Sequence, residues 1–174
     1  MLEKYNRYKL LKLFLDSPTE SFRLREISRL IELSPPSIIN YLKEFEEEGL
    51  VKRMVKRDVP FYSAMRDNPK FIEYKKMSII FELNYIGLIN YLWDKLSPEG
   101  IVLYGSFAKG ESIEDSDIDL FILGKDQEIK VDTFEKKLNK KIHILFKKSM
   151  KDVPNELKNN ILNGFVLKGY IKVF

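Results

Sequence analysis

The chain has 174 residues, a net charge of +4 at neutral pH and 32% charged residues. That length carries one domain or two small ones, and either can bury a core. The absence of cysteine excludes a disulfide framework and a cysteine-ligated zinc site, and the mild positive balance is compatible with a nucleic-acid partner without requiring one.

Tyr5, Tyr8, Leu11 and Leu15 recur at helical spacing, with Leu10 and Phe14 widening the stripe, which predicts an amphipathic helix over 4–16. It ends before Asp16-Ser17-Pro18, a turn signal. Phe22-Arg23 reads as a short strand, and Leu24, Ile27, Leu30 and Ile31 mark a second helix. Ser34 is the expected N-cap of a third helix, with Pro35 at its first position. That helix runs over 35–48, turns Ile38, Leu42 and Phe45 inward, and stops at Gly49. Two β-like segments, 50–56 and 60–64, join around Arg57-Asp58.

Residues 34–53, SPPSIINYLKEFEEEGLVKR, resemble the recognition helix and first wing strand of archaeal and bacterial winged-helix regulators. The resemblance implies a third helix in the DNA major groove and a wing along the backbone. Ser34, Pro36, Ser37, Asn40 and Tyr41 would then face the groove with Lys43 nearby, and Lys52, Arg53, Lys56 and Arg57 would meet phosphates. Glu44, Glu46, Glu47 and Glu48 make the far end of the helix acidic, which suits a protein-docking role instead.

Asn68-Pro69 breaks the hairpin, and a helical stretch is expected to about Leu96. Within it, Glu82, Asn84 and Asn90 interrupt the apolar run 77–93. The run falls short of the roughly 20 apolar residues a membrane span requires, so a buried helix is expected. Its apolar residues lie on more than one side, including Ile79, Leu83, Ile86, Ile80, Tyr91 and Leu92. Such a helix is covered on several faces, by bridging two domains or by pairing in a homodimer. The expected division is a winged helix-turn-helix domain over 1–66, a linker helix over 67–97 and a second domain over 98–174. No secretory signal is visible, so a cytoplasmic protein is expected.

From Ser97-Pro98-Glu99-Gly100 onward the pattern predicts strand 101–104, a turn and short helix around 105–112, strand 117–124, helix 131–139, strand 141–146, helix 154–168 and a terminal strand near 170–173. The whole is α+β, ending in a small mixed sheet with helices on one face. The apolar run Ile101–Tyr104 stops at Gly105-Ser106, and ten residues later come Asp117 and Asp119. In a strand, i and i+2 share a face, so these carboxylates lie side by side and repel unless a cation sits between them. Hard oxygen ligands suit Mg²⁺ or Mn²⁺, and a small Gly-Ser pair lets backbone amides approach a phosphate.

Gly105-Ser106-Phe107-Ala108-Lys109-Gly110-Glu111 followed by Asp115-Ser116-Asp117-Ile118-Asp119 resembles the signature of the nucleotidyltransferase superfamily, especially its minimal members. The resemblance implies that Gly105 and Ser106 hold the triphosphate of an NTP, that Asp117 and Asp119 coordinate Mg²⁺ (or Mn²⁺), and that Lys109 reaches a phosphate. Active relatives usually carry a third carboxylate on the strand after the helix. Here the matching residue is His143, the only histidine in the chain, a poor Mg²⁺ ligand that can serve as a general base or mark lost catalysis. The implied reaction moves an NMP from an NTP to a hydroxyl of a small molecule or of a protein such as a HEPN-type toxin. The other implied role is a DNA-binding regulator that senses nucleotide or metal without turnover. Only two alanines occur (Ala64 and Ala108) amid abundant Ile, Lys, Glu and Asn, a composition that resembles archaeal proteins of AT-rich genomes and, in its Lys/Glu enrichment, heat adaptation.

Overall fold

The computed structural model describes residues 5–172, and the chain divides into two compact units between Lys75 and Lys76. The first unit contains α1 (Asn6–Asp16), β1 (Ser21–Arg23), α2 (Leu24–Ile31), α3 (Pro35–Glu47), β2 (Val51–Lys56) and β3 (Val59–Ala64). Its sheet is antiparallel in the order β1-β3-β2. The helical stripes predicted from the sequence close over one side of this sheet: Leu10, Phe14, Ile27, Ile38, Leu42 and Phe45 pack with Phe22, Val51, Tyr62 and Ala64. Alternation along the strands sends Arg23, Lys52, Met54, Lys56 and Phe61 to the other side.

Arg57 and Asp58 both take positive φ, 50° and 60°, the conformation of a two-residue type I′ hairpin turn. Gly49, at φ 71°, ends α3 as expected. Ser34 stands at the N-cap position, but its hydroxyl caps no backbone amide; Oγ instead lies 3.0 Å from Ser37 Oγ.

A single helix was expected from Asn68-Pro69 to Leu96, and two are found: α4 (Pro69–Tyr85) and α5 (Leu88–Leu96). Gly87 separates them at φ 82°, a conformation that favours glycine and cannot continue a right-handed helix. Phe71 and Tyr74 of α4 pack into the first core, and Ile79 and Leu83 belong to the second. Among the described residues no helix is long and apolar enough to cross a membrane.

The second unit adds β4 (Gly100–Tyr104), α6 (Gly105–Lys109), β5 (Ile118–Leu123), α7 (Asp132–Leu138), β6 (Ile142–Lys147), α8 (Asn155–Leu162) and β7 (Phe165–Gly169). The sheet order is β6-β5-β4-β7, with β5 parallel to β6 and β4 antiparallel to both neighbours. Helices cover both faces, not one. Ile101, Leu103, Leu120 and Ile122 pack toward residues of α4, α5 and α7, and Val102, Phe121 and Leu123 pack against Met150, Val153 and Ile161. The near-continuous apolar runs of β4 and β5 follow from this, since strands buried on both sides need not alternate. The last helix stops at Leu162, and the terminal strand occupies 165–169 instead of 170–173, whose last residue falls outside those described. Gly164 makes the break: a Cβ there would lie 2.4 Å from the Leu103 carbonyl oxygen, so only glycine lets the chain pass this close to β4.

Candidate functional site

The register of the second sheet assembles the site. Tyr104, the last residue of β4, pairs with Asp119 of β5, and Asp119 pairs with His143 of β6. The three side chains therefore form a row across one face of the sheet. Asp117 precedes β5 by one residue, and the imidazole faces both carboxylates. Nε2 of His143 lies 3.7 Å from Asp117 Oδ2, and Nδ1 lies 3.8 Å from Asp119 Oδ1. These distances exceed a hydrogen bond and leave an electrostatic relation that exists when the ring is protonated. The side chains are open to solvent in a graded way: His143 is 64% exposed, Asp117 41% and Asp119 30%.

Gly105 explains why Asp119 is the most enclosed of the three. Its φ is 73°, and a Cβ built there would sit 2.3 Å from Asp119 Oδ2. The carboxylate occupies the space a side chain would fill, so the Gly105 backbone and the Asp119 carboxylate are in direct apposition. Burial raises the Asp119 pKa above the ordinary carboxylate range; Asp117 adds to the rise and His143 opposes it. Burial likewise raises the Tyr104 phenol, with the Asp119 charge adding to it.

Ser106 is half-buried in the first turn of α6, and its carbonyl accepts the Glu111 amide at 2.9 Å, folding the loop back on itself. Lys109 is exposed at the C-terminal end of α6. Ser116 Oγ accepts the Ile113 amide at 2.8 Å and shapes the turn that delivers Asp117. Two neighbours escaped the sequence reading. Tyr104 is legible only once strand register is known. Lys140 donates from Nζ to the Glu114 carbonyl at 2.7 Å and stands 5.7 Å from the centre of the Phe107 ring, pinning the end of α7 to the signature loop; nothing in its sequence context signals this.

Among the described residues, no three His, Asp or Glu side chains are grouped to hold a metal ion. What remains is a two-carboxylate donor set of hard oxygens, solvent-accessible and adjacent to a glycine backbone. That set fits Mg²⁺ or Mn²⁺ completed by water and phosphate oxygens.

In the first unit, Ser34, Pro36, Asn40 and Lys43 are exposed, and Ser37 is half-buried. Tyr41 leans partly on the core. The acidic end of α3 is tied within the same unit: Glu44 accepts from Arg7 Nε at 2.9 Å, and Glu48 binds both Arg7 and, at 2.6 Å, Lys70. Arg7 also covers the Phe45 ring at 4.9 Å. The four wing cations do not share a side: Lys52 and Lys56 alternate onto the outer face of the sheet, Arg53 lies on the same side as Tyr62, and Arg57 is in the turn.

Residues 86–168 match the family model described as nucleotidyltransferase domain, and residues 8–54 match that of the IclR helix-turn-helix domain. The first match spans the site from Tyr104 to His143, and the second runs from within α1 through most of β2. Comparison with curated proteins and with solved structures gives no match.

Proposed function

We propose that the second unit is a metal-dependent nucleotidyltransferase that moves a nucleoside monophosphate from an NTP to an acceptor hydroxyl, and that the first unit binds DNA. The observation that carries the enzymatic reading is the apposition of Gly105 and Asp119: a backbone without a side chain meets a carboxylate. Asp117 and Asp119 would hold Mg²⁺ or Mn²⁺. The metal would supply charge compensation at the phosphates and orient in-line displacement of pyrophosphate.

The chain's own groups have separable roles in this reading. Backbone amides at the start of α6 have no intrahelical partner and suit a phosphate oxygen near Gly105 and Ser106. Lys109 offers a point charge from the same short helix. His143 stands where a proton from the attacking hydroxyl can be accepted by an exposed imidazole. The same reading includes a homodimer, supported by the exposed α4 side chains Met77 and Tyr85, the latter stacked on Phe81 at 5.8 Å.

A second reading rests on His143 itself. A nitrogen ligand in place of a third carboxylate favours a regulator that binds nucleotide or metal without turnover. Incubation with each α-labelled NTP and Mg²⁺ or Mn²⁺, with and without lysate as a source of acceptor, separates the two. Label transferred to a protein or small acceptor, and lost in Asp117→Ala, is the expected result; His143→Ala should abolish transfer while retaining nucleotide. Tight binding with no transfer under either metal would establish the regulator.

A further inference from the structure

We propose that the outer face of the three-stranded sheet in the first unit binds an unpaired nucleic-acid strand, at a surface separate from the α3 groove-facing residues. This face collects Arg23 from β1, Lys52, Met54 and Lys56 from β2, and Val59 and Phe61 from β3. With Ser21 and the buried Ser63, which the same alternation places on this face, three of its eight strand residues are cationic and none is acidic. The pairing register explains the cluster, since Arg23 and Met54 both stand opposite Phe61.

The Phe61 ring is at the centre. Arg23 lies 4.9 Å from its centroid and Lys56 lies 5.7 Å from it. An aromatic ring with a guanidinium laid over it is a flat, π-bearing platform that a nucleobase can extend by stacking, and every base has such a face. Lys52 and Lys56, two residues either side of Met54 on the same strand, are spaced to meet a phosphate backbone running along β2. A duplex hides its base faces and so has no use for Phe61; an unpaired strand does. Phe61 is half-buried, and Arg23, Lys52, Lys56 and Val59 around it are exposed. Glu20 and Glu26 both stand three residues from Arg23, and Glu26 accepts the Arg23 backbone amide at 2.8 Å; among the described residues no salt bridge to the Arg23 guanidinium is found within 4.0 Å. Phe61 lies beyond the residues matched by the helix-turn-helix family.

The test is fluorescence anisotropy of the full chain with labelled mixed-sequence single-stranded DNA, the same sequence as RNA, and the corresponding duplex, over a range of salt. The expected result is salt-dependent binding of at least one single strand. Phe61→Leu should weaken it about tenfold, as loss of one stacked base does, without changing the salt slope. The double variant Lys52→Ala/Lys56→Ala should instead flatten the slope by about 1.4, the share of two phosphate contacts on a single strand. Phe61→Tyr should bind like the parent. Circular dichroism checks that each variant is folded, and the lysine variant keeps the proposal testable if Phe61→Leu is not. No binding of either single strand at low salt overturns the proposal. So does an unchanged affinity in folded Phe61→Leu, an unchanged slope in the lysine variant, or an equal loss in Asn40→Ala, which would put the strand along α3.

Discussion

Two carboxylates, Glu48 of the first unit and Asp119 of the second, are treated in opposite ways. In the first, Glu48 is held below the ordinary carboxylate range by a hydrogen bond from Lys70 and by the charges of Arg7 and Lys70. In the second, Asp119 is pushed above it, chiefly by burial; His143 opposes the rise and Asp117 adds to it. Glu48 is hydrogen-bonded to its counter-ions within the fold; the cationic group nearest Asp119 is the His143 imidazole, 3.8 Å away and charged only when protonated. Structural carboxylates carry their counter-ions with them, whereas a carboxylate held in unfavourable surroundings without one marks a place where a cation from solution can gain free energy by binding. In the proposed reading, the difference separates a charge that stabilises the fold from one that serves metal and nucleotide.

The largest test of that contrast is Gly105→Ala. The substitution adds a Cβ in the left-handed region and drives it against the Asp119 carboxylate. Roughly 2–4 kcal/mol of stability should be lost from the two effects together, measured by urea unfolding. Metal-dependent nucleotide binding should fall further than in a surface control of equal stability. If Gly105→Ala binds nucleotide normally, the apposition has no functional meaning.

Asp119→Asn sharpens the same point from the other side. A carboxyl whose folded pKa is raised takes up a proton more readily when folded than when unfolded. Its contribution to stability is therefore present at low pH and lost as pH rises through the raised value, so at neutral pH the ionised Asp119 opposes folding. Replacing it with the uncharged isostere should stabilise the protein by about 0.5–1 kcal/mol, as relief of functional strain commonly does, while metal-dependent nucleotide binding disappears. The stabilisation should shrink in melts at progressively lower pH. A loss of stability at neutral pH would mean that Asp119 is already compensated, and the contrast with Glu48 would fail.

Much of this was legible in the sequence, for identifiable reasons. Helical stripes such as Leu10, Phe14, Ile38, Leu42 and Phe45 announce a core because packing follows the 3.6-residue period. The Gly105-Ser106 and Asp117–Asp119 spacing picks out a candidate site, and the fold brings Asp119 against Gly105 and both carboxylates within 3.8 Å of His143. Part of what was hidden depends on pairing between distant segments. Tyr104 beside Asp119 needs a strand register, which no local pattern contains; the helices on both faces of the second sheet and the division of Lys52 from Arg53 follow from continuous apolar runs and strand alternation, local signals that the reading did not use. The end of α8 was misplaced because Asn163-Gly164 resembles a tolerable interruption until the Leu103 carbonyl is seen beside it. The acidic end of α3 had suggested that DNA was disfavoured there; Arg7, 37 residues from Glu44, removes part of that objection in a way the linear charge pattern could not disclose.

The smallest effect tests the satisfied side of the comparison. Arg7→Ala removes the partner of Glu44 and one of the two partners of Glu48. These groups are partly solvated, so screening limits the loss to about 0.5–1 kcal/mol, and added salt should reduce it. Because the Glu48 pKa is lowered, its contribution is present above the ordinary carboxylate range and lost as pH falls through the depressed value. The stability gap between parent and Arg7→Ala should therefore narrow in acid, the reverse of the trend that each proton taken up by Asp119 produces. It should not close completely, since the guanidinium also covers Phe45 and that contact does not depend on either carboxylate. A gap independent of pH would assign the whole effect of Arg7 to the Phe45 ring, leaving Lys70 alone to hold Glu48 and removing the ion-pair network from the account of the first unit.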